Sequence, residues 1–109
     1  MRVLNDKAVK ITGRDGKPLA LVELFYSHNG LAVTAFQPSV GFEEFASWFV
    51  ITQIDSGDSL HRRFPKLESA KNALDRLLAL ADWTNTEALK KDVTLRGKVM
   101  AIQEAEGGI

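Results

Sequence analysis

The sequence predicts an α+β fold in which an antiparallel sheet of four or five strands is followed by two C-terminal helices packed on one face. Short apolar segments separated by turn residues fill the first 64 residues, and a helical repeat of leucine and alanine follows them. Because the strands precede the helices rather than alternating with them, the helices should lie on one face of the sheet. Residues 1–109 are predicted to form a single domain.

The first five predicted elements are strands joined by short turns. Asp15-Gly16 and Asn29-Gly30 are residue pairs that favour tight hairpins, so the first three strands should form an antiparallel meander. In chain order, the predicted strands are centred on Val9 and Ile11, on Leu19 to Tyr26, on Leu31 to Phe36, on Trp48 to Ile54 and on Leu60 to Phe64.

The second and fourth strands carry apolar residues on both faces. They should therefore lie inside the sheet, or the second face of the sheet should meet another surface. The excess of apolar side chains makes a homodimer one hypothesis for this chain. The segment from Gln37 to Ser47 contains residues that break regular structure, and it is predicted to be either one helical turn or a loop.

Two helices are predicted after the strands. Leucine and alanine recur at helical spacing between Leu67 and Ala81, which predicts a first helix from about Pro65 to Asp82. Thr84 and Glu87 have the spacing of a capping box, so a second helix should begin there and run to about Glu106, weakened at Gly97. Strand alternation through Val93, Leu95, Val99 and Ala101 is the alternative for this last region.

The composition excludes several classes of protein. The chain has no cysteine, which excludes disulfides and thiolate metal sites. Fourteen basic residues balance fourteen acidic ones, so the chain lacks the long-range field that drives non-specific DNA binding. No apolar stretch approaches the roughly 20 residues that span a bilayer, and residues 1–6 have no apolar signal region. We therefore expect a cytoplasmic protein that does not bind membranes.

The residues with catalytic potential do not form a recognisable motif. A metal-independent ribonuclease using His28 and His61, with Arg62 or Arg63 stabilising the transition state, is a remote alternative, because nothing in the sequence brings the two histidines together. Asp58 and Ser59 lie beside His61, but no nucleophile elbow is present. No calcium loop or phosphate-binding glycine loop is present either. The sequence therefore predicts a non-enzymatic protein without metal or cofactor.

A local cluster of basic residues is the main candidate binding site. The fifth strand and the start of the first helix carry His61, Arg62, Arg63, Lys66 and Lys71. Side chains alternate along a strand, so at most half of this set can face one groove. With Tyr26, Phe36 and Phe49 as a stacking platform, the cluster would suit single-stranded DNA or RNA, which is the alternative function. The neutral net charge counts against this alternative.

A protein partner is the favoured interpretation. Arginine and aromatic residues are enriched at binding hot spots, which makes Arg62 and Arg63 candidates together with Phe42, Phe45 and Trp48. We expect a small regulator, adaptor or inhibitor that acts by stoichiometric association.

A general resemblance agrees with this expectation. The segment from Trp48 to Thr84 combines a W-x-V-x-x-x-I strand, a Ser-Gly turn, a basic strand, a helix rich in alanine and leucine, and a closing A-D-W-T. This combination resembles small stand-alone proteins carried by phages and mobile elements, although it matches no named family. The resemblance implies stoichiometric binding, as a regulator or as an inhibitor of host defence complexes, and it transfers no functional residue.

Overall fold

The computed structural model describes residues 8–12, 18–36 and 48–109. The described strands are β1 (Ala8–Thr12), β2 (Pro18–His28), β3 (Leu31–Ala35), β4 (Phe49–Gln53) and β5 (Ser59–Phe64), and the described helices are α1 (Leu67–Leu77), α2 (Thr86–Lys91) and α3 (Leu95–Ala105). The strands form one antiparallel sheet in the order β1-β2-β3-β4-β5. This arrangement confirms the predicted α+β class and the helices that follow the sheet.

The hairpin between β2 and β3 has the predicted geometry. Asn29 and Gly30 both have positive φ angles, of 45° and 95°, as the two central residues of a type I′ turn require. Its strands close with His28 opposite Leu31. The predicted Asp15-Gly16 turn and the segment from Gln37 to Ser47 lie outside the described residues.

One face of the sheet and the helices enclose the core. Leu31, Val33 and Ile51 of the sheet are fully buried against α1. The helix contributes the stripe that its leucine and alanine spacing predicts, and α3 adds its own apolar face. The buried helical residues of this core are Ala70, Ala73, Leu74, Leu77, Leu95 and Val99.

The second face of the sheet is also buried along β3 and β4. Ala32 and Thr52 are fully inaccessible to solvent within the single chain, and the hydroxyl groups of Thr34 and Thr52 lie 3.0 Å apart in a hydrogen bond. Both β2 and β4 have a neighbour on each side, as their two-sided apolar pattern predicts. These residues therefore need no second copy of the chain to cover them, and the homodimer stays a hypothesis.

The first helix is shorter than predicted. It begins at Leu67, after Lys66 in extended conformation, and not at Pro65. It ends at Leu77, where the carbonyl oxygen accepts a hydrogen bond of 2.8 Å from Trp83 Nε1. The indole thus satisfies a carbonyl group at the helix end, because the chain folds back over the last turn.

The second predicted helix is two helices. The side chain of Asn85 caps α2 by accepting a hydrogen bond from the Ala88 amide, so the predicted capping box on Thr84 is one residue early. The break falls at residues 92–94 and not at Gly97, which lies inside α3. The alternative of a strand through residues 93–101 is wrong. Aspartate, a β-branched valine and threonine at these three positions all have low helix propensity.

The chain beyond α3 returns to the edge of the sheet. The backbone of Ile109 exchanges two hydrogen bonds with that of Arg63 on β5, of 3.0 Å and 2.8 Å. This pair protects part of an edge strand from further pairing. Within the described ranges, no helix is long and apolar enough to cross a membrane.

Candidate functional site

A cleft of about 440 Å³ opens between the start of β5 and the two helices α2 and α3. Its size lies within the range of protein pockets that hold small ligands or partner side chains. Gln103 of α3 is fully buried and donates a hydrogen bond of 2.8 Å to the Leu60 carbonyl, which fixes α3 against β5. The apolar side chains that line the cleft are Leu60, Trp83, Leu89, Val93, Leu95, Val99 and Met100.

A buried glutamine joins the sheet to the start of α2. Gln53 Nε2 donates to the Trp83 carbonyl at 2.9 Å and to Thr86 Oγ1 at 3.0 Å. Its Oε1 accepts a hydrogen bond of 2.7 Å from Ser56 Oγ. Thr86 Oγ1 in turn donates to an oxygen of Asp55 at 2.6 Å. Because the buried amide uses both its donor and its acceptor sides, it holds one end of the cleft in a fixed position.

Trp83 forms the floor of the cleft, and its backbone lies close to the backbone of Gly30. Trp83 is only 4% exposed, and its carbonyl group packs against the hairpin at Gly30. A Cβ atom at Gly30 would lie 2.7 Å from that carbonyl oxygen. Any side chain there would push the hairpin away from the floor, and the positive φ angle of Gly30 adds a second requirement for glycine.

The rim of the cleft is formed by the interruption between α2 and α3. One carboxylate oxygen of Asp92 accepts hydrogen bonds from the Thr94 amide, the Thr94 hydroxyl and the Leu95 amide. The bonds from Thr94, aided by the Leu95 amide and the charge of Lys98, lower the pKa of the Asp92 carboxyl below its usual value. Between these capping residues, Val93 projects with 90% of its surface exposed.

The predicted basic cluster is divided by the fold. Arg62 forms an ion pair with Glu104 of α3, on the helix-covered face, as its alternation with Leu60 and Phe64 predicts. Arg63 points to the second face, where its guanidinium group lies 5.6 Å from the centre of the Phe36 ring. The two arginines therefore do not share a groove.

The lysines of the cluster are also separated. Lys71 Nζ lies 5.1 Å from the centre of the Tyr26 ring, and the Tyr26 hydroxyl donates a hydrogen bond of 2.8 Å to Asp75. This bond to Asp75, with desolvation and the carboxylate charge as smaller causes, raises the pKa of Tyr26. Lys66 is exposed just before α1. Tyr26 and Phe49 pack against the core whereas Phe36 lies with Arg63, so the three aromatics do not form one stacking platform.

The remaining predicted site residues do not form a site in the described part of the chain. Trp48 is half-buried, and its carbonyl group accepts a hydrogen bond from Phe36 beside the β3–β4 pair. Phe42 and Phe45 lie outside the described residues, as does the side chain of His61. The backbones of β2, with His28, and β5, with His61, are three strand spacings apart, or about 14 Å across the sheet.

The residues that line the cleft differ from the binding residues that the sequence predicts. Of the predicted binding residues that the structure describes, Trp48, Arg62, Arg63, Lys66 and Lys71 lie away from its lining. A signal was present in the sequence, because Asp92-Val93-Thr94 interrupts a run of helix formers and places an N-cap type of residue three positions before Leu95.

Comparisons with protein-family models, with curated proteins and with solved structures found no match to this chain. Within the described ranges, no group of three or more histidine, aspartate or glutamate side chains is arranged to hold a metal ion.

Proposed function

We propose that this chain is a binding module that acts by stoichiometric association with a partner protein, and that the cleft between β5, α2 and α3 receives part of that partner. The observation that carries the proposal is the cleft itself, with an apolar lining drawn from three elements and an exposed valine at its rim. Protein interfaces gain most of their affinity where an apolar anchor fills such a pocket inside a polar rim.

The rigid support of the cleft favours binding. Gln53 fixes the start of α2, Trp83 is held from below by the β2–β3 hairpin, and Gln103 fixes α3 to β5. A pocket that is already formed loses less conformational entropy when a partner enters it. We propose that the module acts in the cytoplasm as a regulator or an inhibitor. This is the role that the resemblance of residues 48–84 to proteins carried by phages implies.

The nucleic-acid alternative receives less support. Arg62 of the basic cluster is paired with Glu104, and Arg76, which lies near the cluster on α1, is paired with Glu106. This part of the surface therefore has less positive potential than its sequence indicates. The two functions differ in their salt dependence. Binding through phosphate contacts weakens steeply as salt rises, whereas binding through an apolar cleft changes little.

A peptide selection tests the proposal directly. Random peptides displayed on phage are selected on the purified chain, and the enriched peptides are synthesised and titrated by calorimetry. We expect one-to-one binding that Val93→Ser weakens roughly tenfold, because the valine side chain no longer contributes apolar contact. Ile54→Ser is the matched control, since Ile54 is exposed but does not line the cleft.

Two outcomes would contradict the proposal. One is the absence of enriched peptides, or of any difference between Val93→Ser and Ile54→Ser. The other is a concentration-dependent dimer, measured by light scattering, that Val93→Ser dissociates, because the occupant of the cleft would then be a second copy of the chain.

A further inference from the structure

Two cations at the rim of the cleft have no acidic partner among the described residues. Lys90 lies at the end of α2 and Arg96 lies in the first turn of α3, and both are exposed and line the cleft. Neither makes an ion pair with a described carboxylate, in contrast to Arg62 and Arg76. Both cations of the rim are therefore available to pair with a carboxylate of a partner.

The acidic groups around the cleft offset this charge only in part, since Asp58 and Asp92 line the cleft together with Lys90 and Arg96 but form no ion pair with them. The carboxylate of Asp92 is directed at the start of α3, where it accepts three hydrogen bonds. Asp58 lies on the opposite wall, in the turn before β5. Residues 86–98 contain four cations, Lys90, Lys91, Arg96 and Lys98, against two anions, Glu87 and Asp92. The excess positive charge is thus concentrated on the helical side of the cleft.

Apolar lining and positive rim together define the chemistry of the occupant. We propose that the cleft binds a segment of the partner protein in which an apolar side chain lies next to carboxylate side chains. The apolar side chain enters between Leu60, Leu89 and Val99, and Lys90 and Arg96 each meet a carboxylate. This inference rests on the proposed function and identifies the class of segment that the partner presents.

Three synthetic peptides of equal length test the inference. Each has one central leucine, and its flanking residues are aspartate and glutamate, serine, or lysine. Binding is followed by backbone amide shifts of the labelled chain, with Leu89, Val93 and Arg96 as reporters. We expect the acidic peptide to bind most tightly and the lysine peptide least tightly, with a difference that shrinks as salt rises.

Charge-reversal variants locate the effect. Lys90→Glu and Arg96→Glu should each weaken binding of the acidic peptide by about fivefold and strengthen binding of the lysine peptide. Lys66→Glu makes the same change of charge at an exposed position away from the cleft, and it should leave both affinities unchanged. Equal effects of the three reversals would show non-specific attraction and would overturn the inference.

The outcomes separate this inference from the proposed function. If all three peptides bind the cleft equally well, the acidic preference is wrong while the binding module stands. If the peptides and the phage selection both fail to identify a ligand for the cleft, the proposed function fails with it. A single-stranded oligonucleotide that binds the same reporters more tightly than the acidic peptide would also overturn the inference.

Discussion

Two regions of this chain are rich in cations, and they differ in whether their arginines form ion pairs. In the region of β5 and α1, Arg62 and Arg76 meet carboxylates of α3 and the residue after it, which lie 42 and 30 residues further along the chain. At the α2–α3 rim, Lys90 and Arg96 meet no described carboxylate. Positive charge counted along a sequence therefore does not show where positive charge remains unpaired in the folded protein.

The two regions also differ in packing. Helix α1 buries Ala70, Ala73, Leu74 and Leu77 against the sheet, whereas α2 has no buried residue. Regions with few buried apolar contacts have low local stability and are where binding surfaces are commonly found. We therefore expect α1 to contribute most to stability and propose that the α2–α3 rim contributes to binding, and substitutions in each region can test this difference.

The largest expected difference is between two leucine substitutions. Leu74→Ala removes a fully buried side chain from the core and should lower the free energy of unfolding by about 3 kcal/mol. Leu89→Ala removes a partly buried side chain from the wall of the cleft and should cost about 1 kcal/mol or less. Urea unfolding of both variants measures the difference. Equal losses would show that α2 is as important to the core as α1.

The fold was predictable where one local signal dominates. The leucine and alanine spacing of α1 and the Asn29-Gly30 turn each have one physical interpretation, and both are confirmed. The sequence pattern predicts one undivided helix in the last region, because the helix formers on each side of Asp92 influence the prediction more than the capping ability of its carboxylate. Leu60 and Val99 of the cleft lie on different elements, so no local pattern in the sequence brings them together.

The break between α2 and α3 should become less stable in acid, because the Asp92 carboxylate is then protonated. The pKa of Asp92 is lower in the folded chain than its ordinary value of 3.8, so its contribution is fully present above that value. The contribution is lost as the pH falls through the lowered pKa of the folded state. Asp92→Ala should therefore reduce the urea midpoint near neutral pH, by less than Leu74→Ala does. The difference from the unsubstituted chain should shrink as the pH falls below 3.8.

Thr94→Val provides the control for this prediction. It removes the hydroxyl that donates to Asp92 but keeps the two backbone donors and the side-chain volume. Its effect should be a fraction of that of Asp92→Ala and should have the same dependence on pH. An effect of Asp92→Ala that stays constant from neutral to acidic pH would mean that backbone propensity, and not the charged cap, determines the break between α2 and α3.

The smallest expected effect concerns the ion pair that divides the basic cluster. Arg62 and Glu104 keep 30% and 54% of their side-chain surface exposed, so solvent screens their attraction. A double-mutant cycle with Arg62→Ala and Glu104→Ala should give a coupling free energy of about 0.5 kcal/mol in urea unfolding.

A weak coupling has a consequence for binding, because an acidic partner could displace Glu104 at little cost. If Glu104→Ala alone tightens binding of the acidic peptide, Arg62 belongs to the binding surface and the contrast between the two regions is one of degree. If it leaves that affinity unchanged, the acidic peptide binds through Lys90 and Arg96 and not through Arg62.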